Sequence, residues 1–290
     1  MGGRGLTTIH ARVAAARRRL RETGIPLDEA DLDARLIAEH VLGWEAVRFF
    51  TSADGPEPDD FAAAYEPLVA RRAGREPLAY ITGRQAFWDL VFEVSPAVLI
   101  PRPESELIVE AALELFPAST GALAIADAGT GSGCLAVALA RERPAARVIA
   151  TDISDAALDL ARQNAARHGV ADRIQCVSGD LLEPVATPVD LIVCNPPYIA
   201  EGDRPGLQPE VRDHEPAVAL FGGRDGLQVI TRLIEQAPRR LTRGGVLIFE
   251  FGFGQADRVT ELISHTPGLT MIGVRPDLQG IPRAAIAKRL

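Results

Sequence analysis

An asparagine, two prolines and a tyrosine follow one another at residues 195–198, within the run CNPPYIA. The preceding VDLIVC is largely apolar and β-branched, as in a buried parallel strand, so the prolines fall where that strand ends. Each proline holds the residue before it in an extended conformation and donates no hydrogen bond. The side-chain oxygen of Asn195 and the carbonyl oxygen of Pro196 would then form two fixed acceptors for a planar NH2 group, with the Tyr198 ring stacked on the flat group that carries it. The alternative is a strand terminator with a buried tyrosine.

A glycine-rich loop, ADAGTGSGCLA at residues 126–136, joins a predicted strand to a predicted helix. Its glycines let the backbone approach a ligand, and the helix N-terminus offers free N–H groups to an anionic part of that ligand. Asp152 ends the next strand, nineteen residues after Gly133, where a carboxylate can accept hydrogen bonds from a ribose diol. The loop also satisfies the G-x-G-x-x-A form of the dinucleotide fingerprint, so these residues leave NAD and other nucleoside cofactors open. A purely structural tight turn is the remaining alternative.

The elements that would position these loops alternate between strands and helices from residue 122 onwards. The pattern predicts strands at 122–128, 146–152, 173–178, 189–194, 245–252, 269–275 and 281–287. It predicts helices at 134–143, 154–169 (Ser154 as N-cap, Gly169 as C-cap), 226–240 and 255–265. This alternation predicts a mainly parallel sheet with helices on both faces and a ligand beyond the carboxyl ends of the strands.

The first 75 residues have a different pattern, with helical spacing of apolar residues at 7–22, 28–43 and 59–73. We expect a small helical domain ending near residue 75. Residues 77–106 then alternate aromatic and β-branched positions, which predicts a hairpin with TGRQ (82–85) as its turn. A helix at about 104–116 follows.

Composition limits the class of protein. Asp and Glu outnumber Lys and Arg by 39 to 31, a net charge of −8, which disfavours binding of nucleic acid by phosphate neutralisation. The cysteines Cys134, Cys176 and Cys194 have no CxxC spacing, so we expect reduced thiols and no metal site. The sequence lacks both a long apolar run and a secretory signal, so we expect a cytoplasmic protein without a membrane span.

The order DAGTGSG, Asp152, NPPY resembles class I S-adenosylmethionine-dependent methyltransferases that act on amino or amide nitrogens. Three further segments extend the resemblance over the whole chain, to the release factor glutamine methyltransferases of the HemK family. They are PLAYITGRQAFWDLVFEVSPAVLIPRPESE (77–106), DHEPAVALFGGRDGL (213–227) and GVLIFEFGFGQ (245–255).

The resemblance implies a class I methyltransferase fold, Rossmann-like, with a mainly parallel seven-stranded sheet. It divides the chain into a helical substrate-recognition domain (1–75), a hairpin linker (76–104) and a methyltransferase domain (105–290) that uses S-adenosylmethionine. The implied reaction moves a methyl group from this donor to the N5 amide nitrogen of the glutamine in the Gly-Gly-Gln motif of class 1 peptide chain release factors, leaving S-adenosylhomocysteine. We expect these factors as partners, no membrane or direct nucleic-acid binding, and a monomer.

The resemblance also assigns roles to individual residues. The implied cofactor-binding residues are Gly129, Thr130, Gly131, Ser132, Gly133, Asp152, Asp180, Leu181 and Asn195. The implied substrate-binding residues are Arg102, Asn195, Pro196, Pro197 and Tyr198, of which Asn195, Pro196 and Tyr198 are the catalytic ones. Many relatives carry an aromatic residue after the aspartate where this chain has Leu181, which weakens the case for adenine stacking there.

Two other functions use parts of the same pattern. An adenine N6 or guanine N2 methyltransferase would use the same two acceptors, but it would need a flipped base and a basic channel, which the acidic composition disfavours. A noncatalytic nucleotide-binding module would leave the NPPY segment without a purpose.

Overall fold

The computed structural model describes residues 7–290, so the first six residues of the predicted helical domain lie outside it. Its α-helices are α1 Ile9–Glu22, α2 Leu27–Leu42, α3 Ala46–Ser52, α4 Phe61–Ala73, α5 Leu78–Thr82, α6 Glu106–Leu115, α7 Cys134–Glu142, α8 Asp155–Arg167, α9 Pro209–His214, α10 Ala217–Leu220, α11 Gln228–Arg240 and α12 Ala256–Ser264. Its strands are β1 Arg84–Phe87, β2 Leu90–Glu93, β3 Ala124–Ala128, β4 Arg147–Asp152, β5 Ile174–Ser178, β6 Val189–Cys194, β7 Leu241–Glu250, β8 Leu269–Pro276 and β9 Pro282–Arg289.

The described chain forms two compact units, and the first is helical. It comprises residues 7–83 together with Pro209–His214. The three predicted helices correspond to α1, α2 and α4, which enclose an apolar core around the stacked rings of Phe61 and Tyr65. The Tyr65 hydroxyl donates to the carbonyl of Ala34 at 2.8 Å, so this buried polar group is satisfied. The short helices α3, α5 and α9 were not predicted, because a helix of one or two turns shows too little periodicity.

Buried ion pairs explain why Pro209–His214 belongs to the helical unit. The Arg72 side chain is almost fully buried, and its guanidinium donates to Asp33 at 2.5 Å and to Glu210 at 2.9 Å. Arg75 donates to the second oxygen of Glu210 at 2.7 Å. Burial raises the pKa of Asp33, and the Arg72 charge opposes that rise. Each carboxylate thus has a cationic partner, as burial of charge requires.

The predicted hairpin is present in the second unit, but its turn is not at TGRQ. Thr82 ends α5, and the register pairs Phe87 with Leu90, so the turn consists of Trp88 and Asp89. Trp88 has a left-handed backbone (φ 58°), stabilised because its N–H donates to Glu106 at 2.7 Å and its indole N–H donates to Glu142 at 2.9 Å. These tertiary partners override the local turn preference of the sequence.

A seven-stranded sheet forms the centre of the second unit, with the order β5-β4-β3-β6-β7-β9-β8. The pairs from β5 to β7 are parallel, and β9 pairs antiparallel with both β7 and β8. The chain builds outward from β3 through β4 to β5 and then returns to β6 on the other side of β3. This reversal of strand order leaves a crevice at the carboxyl ends of β3 and β6, where parallel α/β sheets bind ligands. The sheet confirms the predicted architecture.

Alternate residues of the strands enter two apolar cores, one on each face of the sheet. In β6, Leu191 and Val193 pack in one core, whereas Ile192 and Cys194 pack in the other. Because successive strand residues point to opposite faces, a doubly covered strand is apolar throughout. The N-cap of α8 is Ser154, as predicted, whereas its C-cap is His168 and Gly169 is the next residue. Over residues 7–290, every helix is too short or too polar to cross a bilayer.

Candidate active site

A cavity of about 290 Å³ opens at the crevice between the carboxyl ends of β3, β4 and β6. The last residues of these three strands, Ala128, Asp152 and Cys194, all line it. The predicted site residues that line the cavity are Arg102, Gly129, Thr130, Gly131, Ser132, Asp152, Asp180, Leu181, Asn195, Pro196 and Pro197. Gly133 and Tyr198 are absent from that lining and contact neighbouring segments instead. The glycine loop and the NPPY segment therefore meet at one cavity.

The glycine loop is held against the end of β4 by backbone hydrogen bonds. The N–H groups of Gly129 and Thr130 both donate to the Thr151 carbonyl at 2.8 Å. Gly129, Gly131 and Gly133 have φ values of 72°, 55° and 80°, which L side chains rarely adopt. A Cβ on Gly129 or Gly131 would meet open space, whereas one on Gly133 would lie 3.1 Å from the Ala161 Cβ. The first two glycines thus leave room for a ligand, and Gly133 allows close packing of α7 on α8.

Asp127, in β3 just before the glycine loop, is a further functional candidate that the sequence did not predict, although it is absent from the cavity lining. Its side chain is fully buried, and Oδ2 accepts hydrogen bonds from the Thr130 hydroxyl at 2.6 Å and from the Ala136 N–H at 3.1 Å. No described residue donates to its other oxygen, Oδ1. Burial raises the pKa of Asp127 to about 7, against the effect of these two hydrogen bonds. A cationic ligand group beside the loop would stabilise the ionised form.

Asp152 is fixed in orientation at the cavity wall. Its Oδ2 accepts from the Gly131 N–H at 2.9 Å and its Oδ1 accepts from the Ser154 N–H at 3.0 Å. Each carboxylate oxygen can still accept another hydrogen bond, for example from a ligand hydroxyl. The next residue, Ile153, also lines the cavity and is 56% exposed, so an apolar surface lies beside the carboxylate.

Asp180 and Leu181 form another part of the wall. The Asp180 carboxylate is paired with the Arg232 guanidinium, which also lines the cavity. Leu181 is almost buried and has a left-handed backbone (φ 48°), and the Thr151 hydroxyl donates to its carbonyl at 2.6 Å. Leu181 therefore contributes an apolar edge to this wall, at the position where many relatives carry an aromatic residue.

The NPPY segment takes part in a chain of side-chain hydrogen bonds. The Asn195 amide group donates from Nδ2 to the Ser105 hydroxyl at 2.7 Å, and Ser105 donates to Oε2 of Glu250 at 2.6 Å. The Tyr198 hydroxyl donates to the other oxygen, Oε1, at 2.8 Å. Burial raises the pKa of Glu250, and the two hydroxyl groups oppose that rise. Among the described residues, none donates to Asn195 Oδ1 or to the Pro196 carbonyl, so both acceptors are available to a ligand.

Tyr198, which the sequence predicts to stack on a ligand, is not among the residues that line the cavity. Its hydroxyl is bound to Glu250 and its ring does not line the cavity. Burial and the neighbouring Glu250 carboxylate raise the pKa of its phenol, which keeps the hydroxyl a donor. The Tyr198 hydroxyl thus links the NPPY segment to Glu250 at the end of β7.

Two later segments pack against the NPPY backbone, one through glycines and the other through the Gln255 side chain. A Cβ on Gly222 would lie 2.5 Å from the Pro197 carbonyl oxygen, and one on Gly226 would lie 2.2 Å from that of Tyr198. The Gln255 side chain donates to the same Tyr198 oxygen at 3.0 Å and accepts from the Gly252 N–H at 2.8 Å. These contacts give a physical reason for the FGGRDGL and FEFGFGQ segments to accompany NPPY in one sequence.

Arg102 lies at the cavity wall beside a buried carboxylate. Its guanidinium pairs with Glu215, whose side chain is 1% exposed and also accepts from the Ile100 N–H at 3.2 Å. Burial raises the pKa of Glu215, and the Arg102 charge opposes that rise. Most of the positive charge of Arg102 is therefore balanced within the chain, with a third of its side chain left exposed.

Comparison with known proteins identifies relatives along the whole chain. Residues 13–83 match the family model described as PrmC N-terminal domain, and residues 106–207 match that described as Methyltransferase small domain. The chain is 44% identical to a release factor glutamine methyltransferase of Geobacter sulfurreducens, covering 91% of this chain and 90% of the relative. It is 42% identical to a protein of the same name from Mycolicibacterium smegmatis, covering 98% of this chain and 99% of the relative.

A solved structure supports the fold. A methyltransferase from Pyrococcus furiosus superimposes with a TM-score of 0.53 at 20% identity, covering 76% of this chain and 96% of that one. The seven-stranded sheet with its crevice at the carboxyl ends is therefore a class I methyltransferase fold, as predicted from the sequence.

Proposed function

Because this chain belongs to the family of release factor glutamine methyltransferases, we propose that it methylates the N5 amide nitrogen of the glutamine in the Gly-Gly-Gln motif of class 1 peptide chain release factors, with S-adenosylmethionine as donor. One observation carries the proposal: Asn195 Oδ1 and the Pro196 carbonyl lie unpaired at the cavity, while the amide nitrogen of Asn195 is bound to Ser105. Two fixed acceptors match the two hydrogens of an unsubstituted amide.

The residues at the crevice fit S-adenosylmethionine. Asp127, whose Oδ1 has no donor among the described residues, would stabilise the ammonium group of the methionine part by its charge, and the open space at Gly129 and Gly131 allows close approach of that part to the loop. Asp152 would accept hydrogen bonds from the ribose hydroxyls. Ile153 and Leu181 would contact the adenine with apolar surface, and Ser132 and Asp180 complete the wall.

The chemistry needs an oriented nitrogen more than a base. An amide nitrogen is a poor nucleophile because its lone pair is delocalised, so positioning must supply much of the catalysis. S-adenosylmethionine supplies an electrophilic methyl group on a sulfonium. Asn195 Oδ1 and the Pro196 carbonyl would accept the two amide hydrogens, direct the nitrogen to the methyl carbon, and stabilise the positive charge that develops on nitrogen. As the N–C bond forms and the S–C bond breaks, the nitrogen becomes acidic and then loses one proton to water.

We propose that the helical unit recognises the release factor, as the sequence division at residue 75 implies. Val47 and Phe50, which both lie in α3, are 75% and 70% exposed. Large apolar side chains so exposed on one short helix are suited to contact with a protein partner. The net charge of −8 again favours a protein substrate over nucleic acid.

A competition assay tests the proposal. Purified release factor, total RNA and duplex DNA are incubated together with the enzyme and S-adenosylmethionine labelled in its methyl group, and the label in each is measured. We expect label in the release factor, and none when its Gly-Gly-Gln glutamine is replaced by alanine. Preferential labelling of RNA or DNA would instead support the nucleic-acid amino-methyltransferase.

A further inference from the structure

Ser105, which lies at the cavity wall but is 2% exposed, and Glu250, which is absent from the cavity lining, connect Asn195 to Tyr198 by hydrogen bonds. We propose, on the basis of the function proposed above, that Ser105 and Glu250 are positioning residues that determine which way the Asn195 amide faces. With them in place, Asn195 turns its NH2 group toward Ser105 and its oxygen toward the substrate nitrogen.

The direction in which the Asn195 amide faces follows from the protons that the hydrogen-bonded groups have available to donate. A carboxylate only accepts, and each oxygen of Glu250 accepts from one hydroxyl, Ser105 on Oε2 and Tyr198 on Oε1. A serine hydroxyl has one proton, and that of Ser105 is directed at Glu250 at 2.6 Å. Its oxygen can therefore only accept from Asn195. The reversed amide would place two unprotonated oxygens 2.7 Å apart and present its NH2 group to the NH2 group of the substrate.

Three separate elements bring these groups together. Glu250 ends β7, and the register pairs Cys194, the residue before Asn195, with Phe249. Ser105 ends the 3-10 turn Pro103–Ser105 that precedes α6. Ser105 and Glu250 are both 2% exposed, so water does not compete for their hydrogen bonds. Burial of the Glu250 carboxylate costs free energy unless hydrogen bonds compensate for the lost hydration, as the two hydroxyls do here.

The protonation state of Glu250 also controls which way the Asn195 amide faces. Burial raises its pKa, Glu104 raises it further, and Arg283 and the Ser105 and Tyr198 hydroxyls oppose the rise. A protonated Glu250 can donate to Ser105, which frees the Ser105 proton to turn toward Asn195 and favours the reversed amide. Turnover should therefore fall as the pH decreases through the raised pKa of Glu250.

The orientation is tested first without the reaction. We assign the Asn195 side-chain NH2 signals by NMR through their loss in Asn195→Asp and measure their hydrogen exchange. We expect slow exchange of one proton in the wild type and in Ser105→Thr, which keeps the hydroxyl, and fast exchange in Ser105→Ala. Equally fast exchange in all three proteins would overturn the proposal even if release factor is methylated. Slow exchange with no methylation of release factor would instead refute the proposed function alone.

Turnover gives the second test. We expect Ser105→Ala to lower kcat about 10-fold or more, short of the ~10²–10³ for direct loss of a transition-state group, with cofactor Kd unchanged and near-normal kcat in Ser105→Thr. Combined with Asn195→Ala, Ser105→Ala should add almost nothing, because it acts through Asn195. Additive losses, or wild-type kcat in a folded Ser105→Ala, would refute the positioning role.

Glu250→Gln provides an independent variant of similar size. The glutamine amide can accept from only one of the two hydroxyls, so we expect a lower kcat. Because glutamine does not titrate, we also expect that kcat no longer falls as the pH decreases. The matched controls are Asp190→Asn and Thr242→Val, because Thr242 donates to the Asp190 carboxylate at 3.1 Å at the opposite end of β6 and β7. They should keep wild-type kcat. An unchanged acid decline in Glu250→Gln would contradict the assignment to Glu250.

Discussion

Gly226→Ala should impair turnover by displacing the NPPY segment. The added Cβ would lie 2.2 Å from the Tyr198 carbonyl oxygen and 2.8 Å from Nε2 of Gln255. Restoring an ordinary 3.4 Å contact requires a movement of about 1.2 Å in a backbone only two residues from Pro196. A displacement of about 1 Å in a catalytic group can cost ~10²-fold in rate, so we expect kcat to fall by about that factor.

Gly169→Ala is the matched control. Gly169 has a similar left-handed backbone (φ 69° against 75°), but a Cβ there would meet open space. Both variants then carry the same backbone strain of roughly 1–2 kcal/mol, whereas only Gly226→Ala moves the site. Steady-state methylation of release factor and thermal unfolding are measured for both. If a folded Gly226→Ala matched Gly169→Ala in kcat, close packing of this glycine on NPPY would not position the catalytic groups.

Four further outcomes are expected. Asp152→Ala should weaken S-adenosylmethionine binding by about 1–3 kcal/mol in calorimetry, because ribose hydroxyls lose their acceptor; unchanged affinity would refute that contact. Affinity for the cofactor should increase as the pH rises through about 7, since only ionised Asp127 attracts the ammonium group, and should be flat in Asp127→Asn; the same slope in both would exclude Asp127. Asn195→Ala should reduce kcat by about 10²–10³ with little change in cofactor Kd, and Asn195→Asp should retain more activity; normal turnover in Asn195→Ala would eliminate the acceptor role. Val47→Ser with Phe50→Ser should raise KM for intact release factor and leave cofactor Kd unchanged; an unaltered KM would place recognition elsewhere.

The parallel sheet and both loops at the cavity were predictable from the sequence. Strands such as 189–194 are continuous apolar runs, and loops at the carboxyl ends of parallel strands share one edge, so the glycine loop, Asp152 and NPPY had to be neighbours. The predicted position of the hairpin turn was wrong, because the side chains of Glu106 and Glu142, distant in sequence, stabilise Trp88 at positive φ.

The hydrogen bonds that hold the Asn195 side chain were not predicted, because they depend on tertiary contacts. Ser105 and Asn195 are 90 residues apart, and Ser105 and Glu250 are 145 apart, so no local pattern links them. A signal was nevertheless present: Glu250 is an acidic residue inside the apolar run VLIFEF, where a buried charge needs a reason. Asp127 gives the same signal in AIADAG, between apolar strand residues. The orientation of Tyr198 toward Glu250 required the structure.

Fragmentation mass spectrometry of the labelled release factor tests the central claim most directly. Purified factor is treated with the enzyme and S-adenosylmethionine carrying an isotopically labelled methyl group, digested, and the peptide containing Gly-Gly-Gln is sequenced. We predict one labelled methyl group on the side-chain amide of that glutamine, and about 10²–10³-fold slower labelling of it by Asn195→Ala under the same conditions. A labelled methyl group on any other residue of the factor, with this glutamine unmodified, would contradict the account.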